Sequence, residues 1–271
     1  MPVRPILTVD VEEWFHVCGV PEYADPAGWD ARASRVERAT ESLLAILDGS
    51  GSTATFFVLG WVARRHPGLV RRIASGGHEV ASHGDLHRRL FEMTLPQFRE
   101  DLRRGKGTLE ELLGLPVTAY RAPEWSMGSA ANPALGVLVE EGFRIDSSLA
   151  AAPPVGDAAN PTRPTRIETP AGPILEVPPL TGSFFFRRAL LGGGVCSRMS
   201  RFSRVRSLVA RSLAAGIPPV LYLHPWELDE SHPEMKLPFV GNLVHFAGRS
   251  RTAPRLRSLL SEHRFQGISA A

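Results

Sequence analysis

The sequence has few cysteines, no long apolar run and no evident export signal. Of its 271 residues only Cys18 and Cys196 are cysteines, too few for a disulfide framework or a thiolate metal site. No apolar run reaches the roughly 18 residues that a membrane-spanning helix needs. The N-terminus lacks the charged and then apolar pattern of a signal peptide. If Met1 is the true start, we expect a cytoplasmic protein.

The chain also lacks a strong charge imbalance. Lysine and arginine number 31 against 28 acidic residues, which gives a formal net charge of +3. Arginines cluster loosely between residues 187 and 206, and a solvated helix face accounts for them better than a nucleic-acid surface does. We therefore predict no nucleic-acid partner. An apolar content of 43% allows a sizeable core and excludes a disordered chain.

Short apolar runs alternate with segments of helical periodicity. Strands are predicted at residues 5–11, 54–59, 78–82, 117–120, 143–146 and 219–224, with helices between most of them. This alternation indicates an α/β fold with a parallel sheet and helices outside it. The number of units and the chain length favour an irregular (β/α) barrel. Residues 166–177 are predicted to form an inserted β-hairpin.

Ionisable side chains recur where the predicted strands end. Because parallel strands bring their carboxyl ends to one face, we expect these side chains to meet there. Asp10 and Glu12 are two apart in a strand and therefore point to the same side, although solvated acids at a strand end are an open alternative. The remaining members are His83, His87, Arg121, Asp146 and His224.

The spacing of His83 and His87 suits a shared metal ion. Four residues apart, both rings can face one way, although two unrelated loop histidines would show the same spacing. With one carboxylate they form a three-ligand set with open positions, which is typical of a catalytic metal site. Asp10 and His224 are then a candidate base and acid for hydrolysing an amide or ester. Arg121 is suited to holding a carboxylate.

Trp14, Trp125 and Trp226 each flank one of these segments. Aromatic rings at the rim of a site stack on sugar rings, and packing in the core is the equal alternative. The sequence leaves both open.

Together the motifs resemble those of the polysaccharide deacetylases of carbohydrate esterase family four, the NodB-homology group. The family's Thr-Phe-Asp-Asp-Gly motif is matched loosely by residues 8–12, its histidine motif by 83–87, its Arg-x-Pro motif by 121–123 and its Leu-x-His motif by 221–224. The chain is still more similar to the branch associated with exosortase and exopolysaccharide clusters. That branch typically opens Asp-Val-Glu-Asp/Glu-Trp-Phe-His and carries His-Pro-Trp-Glu, as residues 10–16 and 224–227 do here.

The resemblance implies one deacetylase-like domain over residues 1–271, built as the NodB type of irregular barrel. Its motif-bearing core would be at about 5–150 and 217–230, and its branch-specific segments at about 150–216 and 231–271.

The resemblance also implies roles for the candidate residues. Asp10 would take a proton from the attacking water, with Arg121 holding it in orientation. His224 would protonate the leaving amine, and Asp146 would orient His224. The metal, most often Zn²⁺, would be bound by Glu12, His83 and His87. Substrate contacts would come from Trp14, Glu124, Trp125 and Trp226, with the backbone N–H near Glu124 as an oxyanion donor.

One departure concerns the metal ligand of the first motif. Val11 stands where the family has its ligating aspartate, so the carboxylate comes two residues after Asp10, at Glu12. Without Glu12 only two histidines remain. Glu13 is a poorer candidate because it points to the opposite face.

The preferred function is therefore a divalent-metal hydrolase that removes acetyl groups, N-acetyl foremost, from a polysaccharide, an oligosaccharide or a lipid-linked precursor. A lipid-linked substrate would place the protein at the inner face of the membrane. The alternatives are a ureide-type amidohydrolase of small molecules and a catalytically silent saccharide-binding protein.

Overall fold

The computed structural model describes residues 3–184, 186–229 and 231–271. Its strands are β1 Ile6–Val11, β2 Thr55–Val58, β3 Glu79–Ser82, β4 Ala119–Tyr120, β5 Ile145–Asp146, β6 Thr165–Thr169, β7 Gly172–Glu176, β8 Thr181–Phe184, β9 Arg187–Leu190 and β10 Val220–Leu223. Its helices are α1 Pro21–Ala24, α2 Val36–Asp48, α3 Gly60–Arg65, α4 Pro67–Ser75, α5 Leu95–Leu113, α6 Ala134–Glu140, α7 Gly194–Met199, α8 Phe202–Ala214, α9 Phe239–Phe246 and α10 Thr252–Glu262. No helix of the described part is long and apolar enough to cross a bilayer.

The main sheet has eight strands in the order β10-β1-β2-β3-β4-β5-β7-β6. Every neighbouring pair is parallel except β6 and β7, which form the predicted hairpin. The sheet curls into a half-barrel, which confirms the α/β fold. The hairpin is an extension of this sheet, because β7 pairs with β5.

The outer edge of β10 is covered by backbone from the segments around β8 and β9. Leu180 N–H donates to the carbonyl of Val220, and Tyr222 N–H donates to that of Gly192. The β8–β9 hairpin and α9 are elements that the sequence pattern did not predict.

Local sequence signals explain where the helices begin and end. The predicted helix over 61–75 is divided between α3 and α4, because Pro67 disfavours helical backbone at the preceding His66. Helix α5 begins with a capping box in which Thr94 and Gln97 satisfy each other's backbone N–H groups. It ends at Gly114 in the left-handed conformation, at φ 65°.

The main core lies between the sheet and the helices, with side chains such as Val9, Phe56, Leu102 and Leu109 almost fully buried. Such a packed layer keeps the strands in fixed register. The carboxyl ends of β1, β3, β4 and β10 therefore hold a fixed position relative to one another.

Candidate metal centre and active site

Three candidate metal ligands meet at the carboxyl end of the sheet. Glu12 follows β1, and His83 and His87 lie in the loop after β3. One ligand atom from each falls within 4.8 Å of the others, and all three residues are buried. Glu12 Oε2 lies 2.6 Å from His87 Nε2 and 3.9 Å from His83 Nε2. The sequence prediction that these residues converge agrees with this geometry.

The outer ring nitrogens of both histidines have partners of their own. His83 Nδ1 is 2.8 Å from the carbonyl oxygen of Arg121, and His87 Nδ1 is 3.4 Å from the Cys18 sulfur. A ring whose Nδ1 carries the donated proton presents the Nε2 lone pair to a metal. Both Nε2 atoms face the buried Oε2 of Glu12, which has no hydrogen-bond partner among the described residues apart from its close approach to His87 Nε2. Two imidazoles and one carboxylate are a donor set that suits Zn²⁺.

Burial and charge shift the pKa values of this group in opposite directions. Burial raises the pKa of Glu12, but the imidazoles of His87 and His224 outweigh it and hold the pKa well below its usual range. Burial lowers the pKa of His83 to about 4. Burial also lowers the pKa of His87, but the Glu12 carboxylate raises it by more than burial lowers it, so the net shift is upward. Metal binding at His87 would therefore release a proton.

Asp10 is held beside this group by Arg121, which is 1% exposed. Arg121 Nη1 donates to Asp10 Oδ1 at 2.7 Å and to Thr8 Oγ1 at 2.9 Å. Its other nitrogens donate to the carbonyl and hydroxyl oxygens of Ser147.

Two aromatic rings cover the guanidinium of Arg121. Its central carbon lies 4.2 Å from the ring centroid of Phe57 and 4.5 Å from that of Trp125. The hydrogen bonds and this stacking fix the orientation of the Asp10 carboxylate.

His224 approaches the group from β10. Its Nε2 lies 3.6 Å from Glu12 Oε1 and 3.9 Å from Asp10 Oδ2. Its Nδ1 lies 2.9 Å from Glu227 Oε1, and Glu227 Oε2 lies 3.2 Å from Nη1 of the buried Arg198. Burial lowers the pKa of His224, but the carboxylates of Glu12 and Glu227 raise it by more than burial lowers it. The net shift is upward and favours the imidazolium form.

The prediction that Asp146 orients His224 is wrong, because Glu227 occupies that position. Asp146 accepts a hydrogen bond from Ser148 Oγ and lies beside Glu176 on the neighbouring strand. Both carboxyl groups are fully buried. Ser148 Oγ also accepts from Ala122 N–H, so the pair supports the loop that carries Arg121.

The sequence reasoning therefore missed Glu227 and Arg198. Glu227 could have been found, since Pro225 starts a 3₁₀ turn at residues 225–228 that brings residues 224 and 227 together. No local signal identifies Arg198, which lies 29 residues before Glu227 in the sequence.

The three tryptophans are not exposed sugar platforms. Trp14 is 5% exposed and donates its Nε1–H to the carbonyl of Ala33. Trp125, 6% exposed, packs on Arg121. The ring of Trp226 is stacked between His224 and His245, and its Nε1–H donates to Glu12 Oε1. For these residues the structure favours packing over sugar stacking.

Strained backbone is concentrated at this site. Among the described residues, the non-glycine positions with positive φ are His87 at 49°, Glu124 at 51° and Trp125 at 58°. The first is a candidate ligand, and the other two form the turn after Arg121. Glu124 itself is exposed, with its carboxylate 3.7 Å from Arg89. Such strain persists where the surrounding structure enforces it, and it is common at functional sites.

Two known family models match parts of this chain. Residues 28–143 match the family model described as polysaccharide deacetylase. This part of the chain is a polysaccharide deacetylase domain. Residues 147–271 match a second model, described as a domain of unknown function (DUF3473), which is typical of the exopolysaccharide-associated branch.

Curated relatives of the deacetylase domain match over short stretches. A peptidoglycan-N-acetylglucosamine deacetylase of Bacillus cereus is 31% identical over 84 residues, which are 31% of this chain and 30% of the relative. A chitooligosaccharide deacetylase of Rhizobium leguminosarum bv. trifolii is 48% identical over 48 residues, 18% of this chain and 22% of that one. The chain thus spans less than a third of the length of these relatives.

A solved structure resembles the whole chain. A candidate polysaccharide deacetylase of Mycobacterium smegmatis has a TM-score of 0.65 and 25% identity, and the match covers 100% of this chain and 89% of that one.

The site draws on both matched segments and on residues before them. His83, His87 and Arg121 lie inside the deacetylase domain, whereas Asp10 and Glu12 precede it. His224, Glu227 and Arg198 lie inside the segment of unknown function. The two segments therefore build one site.

Proposed function

We propose that this protein is a metal-dependent deacetylase that removes acetyl groups, N-acetyl foremost, from a polysaccharide or its precursor. The observation that carries the proposal is the meeting of Glu12, His83 and His87, with Asp10 and His224 close beside them. Zn²⁺ is the metal that this donor set favours. When bound, it supplies Lewis acidity that polarises an acetyl carbonyl and lowers the pKa of a water molecule.

Asp10 is the proposed proton acceptor. Its Oδ1 is engaged by Arg121 at 2.7 Å, which leaves Oδ2 turned toward His224 Nε2 at 3.9 Å. A carboxylate fixed in this way can take a proton from an attacking water without reorienting.

His224 is the proposed proton donor to the leaving group. Its Nε2 faces the site, and its Nδ1 is held by Glu227. The carboxylate stabilises the imidazolium and fixes the ring, so that the proton on Nε2 is directed toward the substrate. The backbone N–H near Glu124 is the proposed oxyanion donor.

The burial of Trp14 and Trp125 counts against a silent saccharide-binding protein, since that alternative relied on exposed tryptophan rings. Acetylated exopolysaccharide and lipid-linked oligosaccharide remain the proposed substrate class, in line with the segment over residues 147–271.

The test is acetate release from N-acetylated oligosaccharides, together with metal analysis of the purified protein. We expect turnover that a chelator abolishes and Zn²⁺ restores. His83→Ala should lose both bound metal and activity, whereas Asp10→Asn should keep the metal and lose activity. His263→Ala, at the end of α10, is the matched control and should change neither.

Activity that is indifferent to His83→Ala and to Asp10→Asn would refute the proposal. Turnover of ureides by a protein without metal would instead support the amidohydrolase alternative.

A further inference from the structure

An apolar helix face is exposed close to the site. On α9, Phe239 is 83% exposed, Val240 67%, Leu243 49% and Val244 47%. These positions follow the spacing i, i+1, i+4 and i+5, so they form one face of the helix. Four large apolar side chains on one face of a short helix are unusual on a soluble surface and mark a site of association.

The opposite face of α9 supports the active site. The His245 ring stacks on Trp226 at a centroid distance of 4.1 Å, and Trp226 donates to Glu12. Arg198 of α7 donates to the backbone carbonyls of Val244 and His245. The exposed face is therefore separated from Glu12 by the body of α9 and by the Trp226 ring, and Arg198 holds the helix in this position.

A second exposed apolar group lies on the hairpin that packs against the same helix α7. Phe186, at the tip of the β8–β9 hairpin, is fully exposed, and α7 contacts both β9 and α9. Met199, the last residue of α7, is 46% exposed. Helix α7 thus joins the two apolar groups.

The charge on the segment that carries Phe186 and α7 has one sign. Between Glu176 and Glu227 the sequence has no acidic residue and seven arginines. Arg187 and Arg188 are exposed directly beside Phe186, and Arg201 and Arg204 are exposed after α7. Apolar side chains flanked by arginines fit a surface that is apolar inside and anionic outside.

We propose that α9 and the β8–β9 tip dock the protein on an anionic lipid bilayer. Phe186 and the exposed face of α9 would enter the interface, and the arginines would meet lipid phosphates. An acidic polysaccharide would satisfy the arginines alone and would leave the apolar side chains in water. The docking is independent of the proposed function and requires no turnover.

The test is sedimentation of the purified full chain with vesicles of phosphatidylcholine, either alone or containing about a third phosphatidylglycerol. We expect binding to the anionic vesicles that weakens with rising salt. The double variant Arg187→Gln with Arg188→Gln should bind the anionic vesicles ~25-fold more weakly, which corresponds to ~5-fold for each arginine. Phe239→Ser with Leu243→Ser should weaken it ~10-fold or more.

Phe91→Ser is the matched control, because Phe91 is 72% exposed and lies outside the proposed surface. Circular dichroism and acetate release from a soluble substrate should be unchanged in all variants. The proposal would be overturned if the wild type failed to bind anionic vesicles, or if the α9 variant, Phe239→Ser with Leu243→Ser, bound them as well as the wild type does. It would also be overturned if the wild type dimerised in light scattering and the α9 variant did not, which would make a second copy the occupant.

Discussion

The contact between Glu227 and His224 offers the sharpest test of the catalytic assignment. Glu227→Gln keeps the shape of the side chain and removes its charge. Glu227 is 2% exposed, and its Oε1 lies 2.9 Å from His224 Nδ1. At an effective dielectric constant of about 20, unit charges 4 Å apart interact by about 4 kcal/mol. Because the amide oxygen of the variant can still accept a hydrogen bond from Nδ1–H, we expect the variant to lose about half to three quarters of this interaction energy.

The expected result is a kcat for acetate release reduced roughly 30- to 200-fold, from about 2–3 kcal/mol of lost transition-state stabilisation. KM should change little, because Glu227 does not face the substrate. The kcat falls because a neutral amide cannot stabilise the positive charge of the His224 imidazolium from which the leaving group takes its proton. Steady-state rates with saturating N-acetylated oligosaccharide measure the effect.

Glu176→Gln is the matched control for this prediction. It is the same substitution at an equally buried glutamate, and Glu176 contacts Asp146 and Leu149 N–H, away from His224. It should keep kcat within about threefold of the wild type. If Glu227→Gln retained more than about a third of the wild-type kcat, the assignment of His224 as a proton donor held by Glu227 would be refuted.

Two further predictions concern stability. Burial raises the pKa of Asp146 to about 6, and it also raises the pKa of Glu176. The folded state therefore binds protons more tightly than the unfolded chain does. Stability should then be greatest below about pH 4. It should fall by ~3 kcal/mol as the pH rises through 6 because of Asp146, and fall further at higher pH because of Glu176. Glu176→Gln should flatten the pH dependence of the thermal midpoint, and an unchanged slope would contradict this origin. Gly105→Ala would place a Cβ 2.5 Å from the Gly84 carbonyl oxygen, whereas Gly107→Ala on the same helix meets nothing within 4 Å. We expect the former to lose ~1–3 kcal/mol in urea denaturation and to weaken metal binding, and the latter to gain up to ~1 kcal/mol; equal effects would contradict the packing argument.

Much of the site could be predicted because it depends on short-range geometry. The side chains of Asp10 and Glu12 share one side because strand side chains alternate. His83 and His87 are close in sequence, and both follow a strand that was recognisable from its apolar run. The carboxyl ends of parallel strands meet at one edge, so the approach of Arg121 and His224 followed from topology.

The partner of His224 could not be predicted in this way. Asp146 and Glu227 both lie near strand ends, and periodicity does not tell which carboxylate a ring will meet. The pairing of β7 with β5 places Glu176 beside Asp146, so that Asp146 pairs with Glu176 and not with His224. The tryptophans were ambiguous for a similar reason, since a ring at a strand end is exposed or buried according to what packs over it.

Local periodicity and the direction of parallel strands are enough to specify the alternation of strands and helices, the α/β class and the residue types that converge on the metal centre. Three features became visible in the folded protein alone: Glu227 and Arg198 support His224, Trp226 is enclosed between two histidines, and one face of α9 stays uncovered. Those outcomes depend on contacts between segments far apart in the chain, and no local pattern of residues specifies such contacts.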